Sequence, residues 1–168
     1  MEKAERETVL NNAPDTVKLD RVENQNKWGE NHMTKRERRK MFDAVCHKYQ
    51  KEMIILPGDC GPDNIAFSYV SLRYIAMPYK AFKDPSEWDI LCLFHEIGHV
   101  KTNTEKMKIC EKEYFATQWA ADEAKKWNFH ISQLYKDTFQ NYIWEKRELG
   151  LKHNGKNIPD KEDLVVRW

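Results

Sequence analysis

The chain has 168 residues, of which 40% are hydrophobic, 12% aromatic and 33% charged; this is enough for one domain with a real core, and too aromatic for a disordered chain. With 28 Lys plus Arg against 27 Asp plus Glu, the net charge of +1 gives no overall field for nucleic acid or an anionic membrane. No apolar run reaches the roughly 18 residues that a membrane span requires.

Residues 1–33 are polar and punctuated by Asn11, Asn12, Pro14, Asn24, Asn26, Gly29 and Asn31. They read as a loose N-terminal arm. The opening Met1-Glu2-Lys3-Ala4-Glu5-Arg6 is too charged for a secretory leader. Cys46, Cys60, Cys92 and Cys110 form no CxxC pair, so free thiols in a reducing cytoplasm are expected.

Thr34 and Glu37 have capping-box spacing, and Met41, Phe42, Val45 and Tyr49 follow at helical intervals; a helix over 35–51 is predicted. The basic residues of its first turns, Lys35, Arg36, Arg38, Arg39 and Lys40, read as a solvated face. Met53–Leu56, ending at Pro57-Gly58, reads as a strand. Residues 59–64 read as a loop, and 66–70 and 72–77 as two strands of a hairpin. The edge of the second, near 72–77, is expected to be open to an added peptide strand. Asp84, Pro85 and Glu87 suit the N-cap, first and third positions of a helix running to about Thr102. Further helices are predicted over 106–127 and 131–149, the last ending at Gly150. The tail, 151–168, closes with Leu164-Val165-Val166-Arg167-Trp168, read as a short docked strand or a loose end. Trp119, Trp127, Phe129, Tyr135, Phe139, Tyr142 and Trp144 read as helix-packing surface.

The chemistry-bearing string is His95-Glu96-Ile97-Gly98-His99. On a helix, His95 and His99 leave from one face, one turn apart, so both imidazoles can reach one metal ion. Glu96 leaves from the flank, where it can act on a water as a general base. Leu91, Leu93, Phe94 and Ile97 make the helix apolar on most sides, and buried histidines there need partners. Gly98 suggests a close backbone approach. Cys92 shares the face but reads as a core thiol. His32, His47 and His153 read as surface groups, and His130 as a helix-start residue.

A catalytic zinc takes three protein ligands and leaves one position open. The metzincin pattern fails, because Thr102 replaces its glycine and Glu105 its third histidine. The third ligand therefore comes from the next helix, with Glu111, Glu113, Asp122 and Glu123 as candidates. Glu113 is favoured, because it shares a face with Ala116, Thr117, Ala120 and Ala124, and small residues let two helices approach closely. Glu111 falls on the solvent side. Tyr74 and Tyr79 are candidate donors to an oxyanion.

His95-Glu96-Ile97-Gly98-His99 followed by Glu113-Tyr114-Phe115-Ala116-Thr117-Gln118-Trp119-Ala120 resembles the ImmA/IrrE metallopeptidase family, over about residues 36–127. The resemblance implies Glu113 as third zinc ligand, Glu96 as base, a cytoplasmic setting and a regulatory substrate such as a repressor, often in phage or other mobile elements. The chain departs from the family pattern at Thr117, where Asn or Asp is usual, and at Ala121-Asp122-Glu123.

The expected fold is α+β: one zincin-like domain over 34–150, with a small sheet packed on the HExxH helix and flanking helices. The expected function is zinc-dependent hydrolysis of a protein or peptide, with Glu96 catalytic and Zn²⁺ on His95, His99 and Glu113. A zinc-containing regulatory protein without protease activity is the alternative. Neither a membrane nor a nucleic acid is an expected partner.

Overall fold

A computed structural model describes residues 33–61, 65–154 and 157–168. The predicted arm, with His32, lies outside them except for Met33. The described residues build a small α+β domain with four helices and a three-stranded sheet.

Helix α1 (Lys35–Tyr49) starts as its sequence predicts: Thr34 accepts from the Glu37 amide, and the Glu37 carboxylate accepts from the Thr34 amide. It buries Phe42, Val45 and Tyr49. Its basic run is less free than predicted. Lys35 pairs with Asp84 at 2.7 Å, Arg38 donates to the Pro85 and Met33 carbonyls, and Arg39 donates to Asp43 and the Phe82 carbonyl. These cations tie α1 to the segment entering the motif helix.

Strand β1 (Ile54–Gly58), strand β2 (Phe67–Tyr69) and strand β3 (Tyr74–Pro78) form a sheet in the order β1-β3-β2. The β2–β3 hairpin is antiparallel as predicted, but a 3-10 turn, Val70–Leu72, joins the strands, with Arg73 in the left-handed region at φ 49°. The expectation of an open edge at 72–77 is overturned: β3 is the central strand, parallel to β1 on one side and paired with β2 on the other. Its amides and carbonyls are committed on both sides. The register puts Ser68, Ile75 and Ile55 on the face toward the helices, and Ile54, Leu56, Phe67, Tyr69 and Tyr74 on the other.

Helix α2 (Glu87–Thr102) begins later than its sequence suggests. Ser86 is the N-cap: its hydroxyl accepts from the Asp89 amide at 3.1 Å, and Asp89 accepts from the Ser86 amide at 2.8 Å. Asp84 is instead occupied by Lys35. Helix α3 (Ile109–Lys126) begins where Glu111 accepts from the Lys108 amide at 2.6 Å. Helix α4 (Gln133–Asn154) runs past the predicted stop at Gly150. A Cβ at Gly150 would lie 3.2 Å from Ile158 Cδ1, so this glycine makes room for a returning chain rather than ending the helix.

The last residues dock without becoming a strand. Leu164 and Val166 are buried in a cluster with Cys110, Ala121 and Ile143. Gln140 bonds to the Leu164 carbonyl and the Val166 amide, each at 2.9 Å, and Gln118 bonds to both backbone groups of Arg167. Two side-chain amides thus take the place of a β partner. No helix among the described residues is long and apolar enough to cross a membrane.

Candidate metal centre

Two helices position the site. The α2–α3 pair packs backbone to backbone at Gly98, where a Cβ would meet the Ala116 carbonyl oxygen at 2.4 Å and the Ala116 Cα at 2.9 Å. The small face of α3 is buried as predicted at Ala116, Thr117, Ala120 and Ala124. This approach carries Glu113, one turn before Ala116, to the motif helix.

His95, His99 and Glu113 form a group whose ligand atoms converge, and both histidines are buried. His95 Nε2 lies 3.2 Å from Glu113 Oε2, His99 Nε2 lies 3.3 Å from it, and the two Nε2 atoms are 2.9 Å apart. A tetrahedral ion with ligand bonds of about 2.0–2.2 Å has ligand–ligand edges of about 3.3–3.6 Å. The two His–Glu edges are within about 0.1 Å of that range, and the His–His edge is shorter. Two neutral nitrogens and one carboxylate oxygen are also a donor set that suits zinc.

The outer shell favours metal-binding tautomers. The Thr117 hydroxyl donates to the Glu113 carbonyl at 2.7 Å and sits 3.1 Å from His95 Nδ1. Its single proton is spent on the carbonyl, so its oxygen accepts from Nδ1–H. The His95 Nε2 lone pair is then left facing Glu113. Asn103 holds the other imidazole, its carboxamide 2.7 Å from His99 Nδ1. With the amide turned so that Oδ1 faces the ring, it accepts from Nδ1–H in the same way.

Burial pushes the His99 imidazole down, but hydrogen bonding and charge from Glu113 outweigh it and hold the group up at about 9. Glu113 answers in the opposite direction: burial pushes it up, and the two histidines bring it well below the usual carboxylate range. The opposite shifts of His99 and Glu113 mark a site where positive charge is favoured.

Glu96 leaves the flank of α2 and does not belong to the converging group. It is buried and accepts a hydrogen bond from Ser68 on β2. Burial raises its carboxyl above the usual range against the opposing pull of His99, His95 and Ser68. A carboxyl raised in this way is suited to exchanging a proton with water.

The other candidates fall elsewhere. Glu111 caps α3, and Asp122 pairs with Lys125 on the surface. Glu123 is buried but remote in role: it binds Lys48, Tyr49 at 2.6 Å, Lys126 at 3.0 Å and Trp127 Nε1 at 2.9 Å. Those partners outweigh its burial and hold it at about 2. Tyr79 is 63% exposed, and Tyr74 lies on the sheet face opposite Ser68. Cys92 packs against the core and is outside the converging group. Burial raises all four thiols, Cys46 to about 12, and none of them belongs to the converging group.

The sequence reading missed the roles of Thr117, Ser68 and Asn103. Thr117 was findable, because it stands four residues after Glu113 on the same helical face. Nothing in the sequence marks Ser68. A surface cavity of about 130 Å³, lined by residues that include Phe129, His130, Lys136 and Trp168, shares no residue with the site. Comparison with known proteins finds no matching family model, no matching curated protein and no matching solved structure.

Proposed function

We propose that this chain is a zinc-dependent peptidase. The observation that carries the reading is the convergence of two histidine nitrogens and the Glu113 carboxylate to 2.9–3.3 Å on two packed helices, with the raised carboxyl of Glu96 beside them. A structural zinc site needs no adjacent base and fills all four positions with protein ligands; among the described residues the converging group supplies three.

His95, His99 and Glu113 would hold the ion. Zinc bound there supplies a Lewis acid that polarises a carbonyl and acidifies a water. Glu96 takes a proton from the attacking water as its oxygen bonds to the peptide carbonyl carbon. The carbon–nitrogen bond then breaks, and Glu96 returns the proton to the leaving amine. Thr117 and Asn103 keep both imidazoles oriented throughout. On this reading the domain is zincin-like and akin to the ImmA/IrrE family. The substrate is a protein or peptide, with a repressor-type regulator the first to test.

The test compares wild type with Glu96→Gln for zinc content and for cleavage of candidate repressors. One zinc per chain in both, with cleavage reduced by about a hundred- to ten-thousand-fold in the variant, is the expected result. Wild-type protein prepared without chelator that carries no zinc would overturn it.

A further inference from the structure

Helix α4 reaches the candidate metal centre at His95. Its Phe139 is buried with its ring 5.0 Å from the His95 ring. Tyr142 follows three residues later, on the same helical face. The next turn packs near the start of α3, because Ile143 shares a buried cluster with Cys110. Tyr142 is therefore carried toward Glu113.

The phenol is unusual in what it lacks and what surrounds it. Among the described residues, no group hydrogen-bonds to it. The Lys146 ammonium lies 4.8 Å from its ring centroid, a contact that holds the ring without consuming the hydroxyl. Burial raises the phenol far above its ordinary range, and the nearby charges of Glu113 and Glu96 raise it further, so it stays protonated. A lysine or arginine in this place would pair with Glu96 or Glu113 and neutralise the base or the ligand. A neutral O–H offers a hydrogen bond without that cost.

We propose that Tyr142 is a catalytic residue of this centre, whose O–H donates a hydrogen bond to the substrate carbonyl oxygen as that oxygen becomes negative. The assignment rests on the peptidase reading. It moves the oxyanion donor from the strand region, where Tyr74 lies on the sheet face opposite Ser68, to α4.

Tyr142→Phe keeps the ring and the Lys146 contact and removes only the hydroxyl. In the zinc-loaded full chain, zinc content and thermal midpoint are expected to match wild type. Affinity for the phosphinic analogue of dialanine, a tetrahedral oxyanion mimic, is expected to fall by about a hundredfold by calorimetry. The kcat on a cleaved substrate is expected to fall by a similar factor with KM unchanged, whereas a packing role would move stability instead. Equal phosphinate affinity in wild type and variant overturns the assignment whether or not the protein cleaves peptides. A Tyr142-dependent phosphinate affinity in a protein that cleaves no peptide supports the donor while removing the peptidase reading.

Discussion

Replacing Gly98 with alanine adds one methyl group where α2 meets the backbone of α3. That carbon would lie 2.4 Å from the Ala116 carbonyl oxygen, 2.9 Å from its Cα and 3.0 Å from its carbonyl carbon, where ordinary contact begins at 3.4 Å. All three atoms are backbone, so no side chain can rotate away. Relieving the clash requires α3 to retreat by about 1 Å. Overpacking of this kind costs about 1–3 kcal/mol, and alanine returns about 1 kcal/mol of helix propensity. The net loss is up to about 2 kcal/mol, a fall of up to about 4–8 °C in melting temperature for a chain of this size. The larger effect falls on the metal. Glu113 rides on the same helix, and its contacts of 3.2 and 3.3 Å to the histidines lengthen with the retreat. Zinc affinity, measured by competition with a chromophoric chelator, is expected to weaken at least tenfold. A Gly98→Ala protein with unchanged melting temperature and unchanged zinc affinity would refute the close approach and the placement of Glu113 that depends on it.

Thr117→Val removes the acceptor for His95 Nδ1–H while keeping the volume; zinc affinity by the same titration should weaken by about tenfold to a hundredfold, and Thr117→Ser should restore it. Glu123→Ala leaves the Tyr49 hydroxyl, the Trp127 N–H and the neighbouring lysines without their shared carboxylate, so urea unfolding at pH 7 should show a loss of about 3–5 kcal/mol. Glu123 is held at about 2 in the folded protein, below its unfolded value of about 4.3. The contribution of its charge is therefore complete above that unfolded value and fades as pH falls toward 2; the stability gap between wild type and Glu123→Gln, which carries no charge to titrate, should narrow across that window. Zinc competes with the proton that His99 binds up to about 9, so the logarithm of the zinc association constant should rise by at least one unit per pH unit from 6 to 8. A flat profile would count against His99 as a ligand.

The parts of the molecule that were readable from sequence are those set by neighbours a turn away. The Thr34–Glu37 capping box, the HExxH face and the small-residue stripe that singles out Glu113 are all local patterns, and each is present. The start of α2 was misread because Asp84-Pro85 imitates a helix entrance, while Ser86 and Asp89 form the better-matched box two residues on. Sheet order was not readable. The partner of β1 is a strand twenty positions later, Ile54 facing Tyr74, and the hairpin turn lacks the glycine or asparagine that normally announces one. Tyr142 was hidden for a related reason. Its aromatic neighbours on α4 form a general packing surface, and which of them meets the site depends on how α4 crosses α2 and α3.

The three candidate metal ligands come from two consecutive helices, with His95 and Glu113 only eighteen positions apart. Phe139, whose ring packs on that of His95 from α4, lies further along the chain. A chain leaving the ribosome therefore presents the converging group before the α4 residue that packs on it has emerged. Contacts this local also form early in folding, ahead of the longer-range strand pairing. On the proposed reading, a metal ion would meet an open helical hairpin rather than a finished interior, and loading and folding would proceed as one process.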